Sequence, residues 1–146
     1  MKLKKLVTLV MAGIVSTYFL TGCGGNTSDV DGGEEQLKVE MITDVAGVND
    51  HSFNQSAWEG LQKEKEELGV DVKYLESKQD SDYYTNVETL EYEEVDLIIG
   101  VGSKLSATIE QAVKDYPEQK FAIVYETYEN IPENVESILF NAEQSA

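Results

Sequence analysis

Apolar residues along the chain follow two rhythms, and each predicts a type of element. Five short runs are rich in apolar and β-branched residues and read as strands: LKVEMIT (Leu37–Thr43), DVKYL (Asp71–Leu75), DLIIGVG (Asp96–Gly102), KFAIVY (Lys120–Tyr125) and VESILF (Val135–Phe140). Between them the spacing turns helical. Over Ser52–Leu68, Phe53, Ala57, Leu61 and Leu68 fall near one face; Ser52 and Gln55 fit an S-x-x-Q capping box, and Gly69 suits the position after the last turn. Tyr83–Tyr92 predicts a short helix after the polar loop Lys78–Asp82. Ser106–Tyr116 places Ile109, Ala112, Val113 and Tyr116 three to four apart, with Pro117 as a stop. The unbroken Leu97-Ile98-Ile99 run predicts a strand buried on both faces, as in a parallel sheet. Strand and helix alternate until a loop leads to the last strand. The expected fold is therefore α/β, a three-layer sandwich with a mainly parallel sheet and right-handed crossovers.

The first residues follow a different pattern. Lys2, Lys4 and Lys5 precede an apolar run from Leu6 to Leu20, and Leu20-Thr21-Gly22-Cys23 follows. This is the layout of a signal segment with small residues before the cleavage point. With Cys23 directly after them, it resembles a bacterial lipobox. Residues 1–22 are expected to be a lipoprotein signal peptide and Cys23 the lipidated N-terminus, anchored at the outer face of the cell membrane. A plain signal peptide or a membrane anchor is the other reading, although the run is short of the roughly 20 residues a span needs. GGNTSDVDGGEEQ, small, polar and acidic, makes residues 23–36 a flexible tether. The folded body is then residues 37–146.

Charge narrows the partners. Eleven basic residues, all Lys, stand against 28 acidic ones, a formal charge of −17. Without residues 1–22, eight Lys remain and the charge is −20. Such acidity argues against a nucleic-acid backbone as partner. The lack of Arg removes the best bidentate clamp for phosphate or carboxylate. One Cys and one His exclude a disulfide framework and a Cys/His zinc site. The Asp80/Asp82 pair lacks the Gly and Glu of a calcium loop and reads as solvated, as does His51. No cofactor is implied. An enzyme would need a nucleophile elbow, a metal cluster or a phosphate loop, and the sequence carries none of these.

Open α/β sheets bind ligands at the carboxyl ends of their strands, where the strand order reverses. For the order 2-1-3-4-5 that point lies between the first and third strands. Two loops then matter: Asp44 to Asn54 after the first strand, and Gly100-Val101-Gly102-Ser103 after the third. The first offers carboxylates, side-chain amides and an aromatic ring at a helix N-terminus. In the second, Gly102 either lets the backbone approach a ligand or serves a tight turn. Asp44 could face a ligand or cap nearby amides; Asn49 and Asp50 could do either or shape the turn. Phe53 could be a binding surface or a core residue. Trp58 reads as a packing residue.

These stretches carry a resemblance. MITDVAGVNDHSFNQSAWEGLQKEKEELG, VDVKYLES, VDLIIGVG and YPEQKFAIV are similar to the basic membrane protein family, the substrate-binding lipoproteins of ABC transporters that include purine nucleoside receptors. The resemblance implies the first lobe of a type I periplasmic binding protein, with a nucleoside held between two lobes and permease subunits as partners. It implies that Asp44 accepts hydrogen bonds from the purine edge, that Phe53 stacks on the base, and that Asn49 adds an amide nearby. It also sets three departures. Tyr125 holds the position where the family has an Asp for the ribose hydroxyls; Glu126 is a poor substitute, because one step along a strand reverses the side chain. Ser103-Lys104 replaces an apolar pair, and Lys104 reads as a solvated side chain, with a ligand contact as the other reading. The chain ends at Ala146, where Ala142–Ala146 would begin the next helix, so the second lobe is expected to be missing. Two alternatives stay open: a sensing or regulatory lipoprotein of the same fold, and a binding protein for another small polar ligand such as a sugar.

Overall fold

Five strands pair in the order β2-β1-β3-β4-β5, and every pairing is parallel. The computed structural model describes residues 36–140. The expected signal peptide 1–22, Cys23, the expected tether up to residue 35, and residues 141–146 with the expected helix start lie outside the described residues. The strands are β1 (Lys38–Thr43), β2 (Asp71–Glu76), β3 (Leu97–Val101), β4 (Lys120–Val124) and β5 (Val135–Ile138). The helices are α1 (Phe53–Leu68), α2 (Asp82–Tyr92) and α3 (Ser106–Asp115), and a 3-10 turn (Ser103–Leu105) leads into α3. Among the described residues, no helix is long and apolar enough to cross a membrane.

The near-continuous apolar runs follow from burial on both faces. In β3, Ile98 points toward α2 and α3 while Ile99 and Val101 point toward α1. In β4, Phe121 and Ile123 face one way and Ala122 and Val124 the other. Ile42, Leu90, Ile109 and Val113 complete the core on the α2/α3 side. The α1 side is covered less fully. Ala57, Trp58 and Leu61 are only partly buried against the sheet, and Trp58 meets Tyr74 edge to face at 4.9 Å. Beside α1 an apolar groove of about 340 Å³ stays open, lined by Ala57, Leu61, Ile99, Val124, Ile138 and Phe140. Leu68, expected on the apolar face of α1, is 71% exposed. It sits in the last turn, past the end of the sheet contact, just before Gly69 ends the helix in the left-handed region (φ +73°).

The charged side chain buried in the sheet is Glu40, which lies 3.3 Å from Lys73 on β2. Burial pushes its pKa up, against the pull of that lysine.

Candidate functional site

The loop after β1 is tied down from several sides. A backbone turn closes from the Gly47 N–H to the Asp44 carbonyl (3.1 Å), and Gly47 takes φ +76°. The Val48 N–H then donates to Glu76 at the end of β2 (3.0 Å). Glu76 also accepts from Lys78 (2.7 Å), and its carboxyl is held below the usual range by Lys78 first and the Val48 amide second. A Cβ at Gly47 would stand 3.1 Å from the Glu76 Oε1, so the glycine permits both the turn and this approach.

The helix that follows is capped differently from its sequence signature. Ser52 occupies the cap position but makes no side-chain cap bond. Asp50 does that work: its carboxylate accepts from the amides of Ser52 (2.8 Å), Asn54 (3.1 Å) and Gln55 (3.1 Å). A carboxylate reaching three amides satisfies more of the free first turn than a hydroxyl can, and it complements the helix dipole. Partial burial pushes the Asp50 pKa up, but the amides of Gln55, Ser52 and Asn54 outweigh this and the net shift is downward. A depressed carboxyl stabilises the fold fully above its unfolded pKa near 4, and that contribution is lost as pH falls through the folded value. Asp50→Ala should therefore cost about 0.5–2 kcal/mol at pH 7. Asp50→Asn should flatten the acid side of a plot of melting temperature against pH below about pH 4. An unchanged acid limb in that variant would remove Asp50 from the balance.

Asn54 joins the two loop carboxylates. It is only 2% exposed, its backbone N–H bonds Asp50, and its Nδ2 donates to the Asp44 Oδ1 at 2.9 Å. Its own Oδ1 is buried without a partner. The Asp44 Oδ1 also accepts from the Ala46 amide at 3.0 Å. The Asp44 Oδ2 faces the Lys104 Nζ at 3.5 Å. Asp44 follows β1 and Lys104 lies in the turn after β3, so this ion pair spans the point where the strand order reverses. Local amide capping and exposure at the strand ends thus occur in one residue, whose side chain stays 18% accessible.

Phe53 begins α1 directly beside Asn54 and is 42% exposed, not a core residue. Its ring stacks on Tyr125, with centroids 4.3 Å apart and planes at 30°. Tyr125 lies just past β4 with φ +70°, and it is 47% exposed. The strand rule used for Glu126 does not apply here, because β4 ends at Val124 and the backbone turns at Tyr125. Glu126 accepts from the next residue's amide (3.2 Å). Gly102 takes φ +90°, which L residues rarely adopt, and donates to the Val124 carbonyl (3.0 Å), while a Cβ there would meet only open space. Its need is conformational. Asn49 is exposed on the loop. Asp80 and Asp82, expected to be solvated, are held in local bonds: Asp80 accepts from the Tyr83 hydroxyl, and Asp82 from the amides of Lys78 and Gln79. The structure therefore brings together Asp44, Asn54 and Lys104, and Phe53 with Tyr125. Sequence reasoning passed over Asn54 and Glu76 and took Lys104 as solvated.

A parallel sheet of this order, with polar and aromatic residues gathered where the strand order reverses, is an architecture shared with solute-binding proteins of known structure. A solved ABC-transporter solute-binding protein from Aeropyrum pernix superposes with a TM-score of 0.65 at 33% identity, covering 70% of this chain and 28% of that one. Residues 37–146 match the Bmp family, described as ABC transporter substrate-binding protein PnrA-like, and the chain belongs to that family. Among its relatives, the CD4+ T-cell-stimulating antigen of Listeria innocua is 40% identical over 94% of this chain and 41% of its own length. The ABC transporter nucleoside-binding protein BmpA of Lactococcus lactis is 34% identical over 98% of this chain and 42% of its own length. The chain thus spans about two-fifths of the curated relatives it matches. The family is one of binding proteins, not enzymes.

Proposed function

We propose that residues 37–146 are the first lobe of the solute-binding component of an ABC importer, that its ligand is a purine nucleoside, and that permease subunits receive it. We propose further that residues 1–22 are removed, that Cys23 carries the lipid anchor at the extracytoplasmic face of the membrane, and that residues 23–36 act as the tether. The observation that carries the ligand reading is the joint placement of Asp44 and Phe53. Asn54, the neighbour of Phe53 in sequence, hydrogen-bonds Asp44, so an acceptor-only carboxylate and an exposed ring share one helix N-terminus. A carboxylate suits the N–H donors on a purine edge. Stacking of a base on an aromatic side chain is worth about 1–3 kcal/mol. The related nucleoside-binding protein supports the same class. The lack of Arg also suits a ligand without phosphate.

The test is a titration of the chain with guanosine, inosine and adenosine, followed by NMR so that weak binding registers. One lobe by itself offers one wall, whereas small-molecule pockets bury about 70–90% of their ligand. Binding in the millimolar range is expected, with shifts confined to the Asp44–Gln55 loop and the ends of β3 and β4. A two-lobed form should bind far more tightly. If that form ignores all three nucleosides, the ligand class is wrong.

A further inference from the structure

The two exposed rings at this mouth cover one another. One face of Phe53 is available as a platform only if it is free, and Tyr125 lies on that face at 4.3 Å. Tyr125 reaches that place through a left-handed backbone, at φ +70°. Its amide is fixed by a 2.8 Å bond to the Ile138 carbonyl, which anchors the end of β4 to β5. The side chain has no such anchor: its hydroxyl makes no hydrogen bond among the described residues, and the stack on Phe53 is what places the ring. The polar half of the site, by contrast, is held by hydrogen bonds from the buried Asn54 amide and the Ala46 N–H to Asp44. One part of the mouth is rigid and the other is held by a single half-exposed ring contact.

We propose that Tyr125 is an internal stand-in for the ligand's ring. It covers one face of Phe53 until a heterocycle stacks there, and then swings off its fixed backbone. The proposal rests on the reading of Phe53 as a base platform and adds a gate to it. A site whose competent state is only partly populated binds with an affinity lowered by that fraction. Removing the Tyr125 ring should therefore tighten binding, although the ring lies at the site.

Three chains decide this: wild type, Tyr125→Gly and Tyr125→Phe. Glycine accepts φ +70° without strain, so Tyr125→Gly should fold with an unchanged or raised melting temperature. In the ligand-free wild type, NMR should show through-space cross-peaks between the Phe53 and Tyr125 ring protons. These should fade in proportion to saturation with guanosine. Tyr125→Gly should bind guanosine about 3- to 10-fold more tightly. Tyr125→Phe should match wild type, because the ring and not the hydroxyl does the covering. Weaker binding by both variants would make Tyr125 a direct ligand contact and overturn the gate. Cross-peaks that persist at saturation would overturn it too. If none of the three chains binds any nucleoside, in the two-lobed form as well as in the single lobe, the ligand reading falls together with the gate, an outcome distinct from binding with the opposite order of affinities.

Discussion

Asp44→Asn in the two-lobed form should lower nucleoside affinity about 10- to 150-fold while leaving the fold nearly intact. The two oxygens of Asp44 have different duties. Oδ1 holds the loop, through the Asn54 amide at 2.9 Å and the Ala46 N–H at 3.0 Å. Oδ2 faces the mouth, 3.5 Å from the exposed Lys104 ammonium. An asparagine keeps a carbonyl oxygen for the first duty and places an amide N–H₂ where the second oxygen was. It can no longer accept from a purine N–H there, and it sets a donor against Lys104. Hydrogen bonds to a charged group are worth about 1.5–3 kcal/mol, and each 1.4 kcal/mol is tenfold in affinity. Asp44→Ala is the less informative change. It leaves the buried Asn54 Nδ2 without its acceptor, a loss of about 1–3 kcal/mol to the fold itself. Melting curves and nucleoside titrations of both variants separate the two duties. The idea fails if Asp44→Asn binds guanosine as wild type does.

The division between what the sequence made legible and what it hid follows the range of the interactions. Strand identities and the parallel sheet were readable, because burial on both faces leaves a dense local signal in runs such as Leu97-Ile98-Ile99 and Phe121-Ala122-Ile123-Val124; the 2-1-3-4-5 order, which is observed, was assumed as the common one, since no strand's own sequence names its neighbours. Loops carry no such signal. The capping box at Ser52 and Gln55 is a sound pattern, yet Asp50 wins because an ionised carboxylate two residues upstream reaches the same amides more strongly. An Asx residue just before a helix start was the clue available. Asn54 gave less warning: a buried amide in the first turn earns its place only through Asp44, ten residues away. Lys104 is sixty residues from its partner and Glu76 is 28 from Val48, distances at which periodicity says nothing. Tyr125 was misjudged as the last residue of a strand because a positive φ at a tyrosine leaves no trace in composition.

Gly100→Ala should destabilise the lobe by about 1–3 kcal/mol, the usual range for forcing an extra methyl into a packed core. For a domain of this size that corresponds to a melting temperature lower by roughly 4–8 °C per kcal/mol. Gly100 is the fourth of the five residues of β3, between Ile42 of β1 and Ile123 of β4. A Cβ there would stand 2.8 Å from the Ile109 Cγ1, 3.1 Å from its Cδ1 and 3.3 Å from the Ile123 Cδ1. Both isoleucines are fully buried. The first of these contacts is the decisive one. Cγ1 is bonded directly to a branched Cβ, and in a helix such a side chain has essentially one χ1 setting, so it cannot rotate out of the way. Helix α3 must move off the sheet instead, and α3 continues from the turn that carries Lys104. A core change should therefore also loosen the Asp44–Lys104 pair, visible as shifts of the Asp44 loop in the NMR spectrum. A double-mutant cycle checks the mechanism. Ile109→Ala alone should cost about 2–5 kcal/mol through the cavity it leaves. Adding Gly100→Ala to it should cost almost nothing, because the new methyl enters that cavity; strictly additive costs would show that the Gly100–Ile109 approach is not what excludes a side chain at this position.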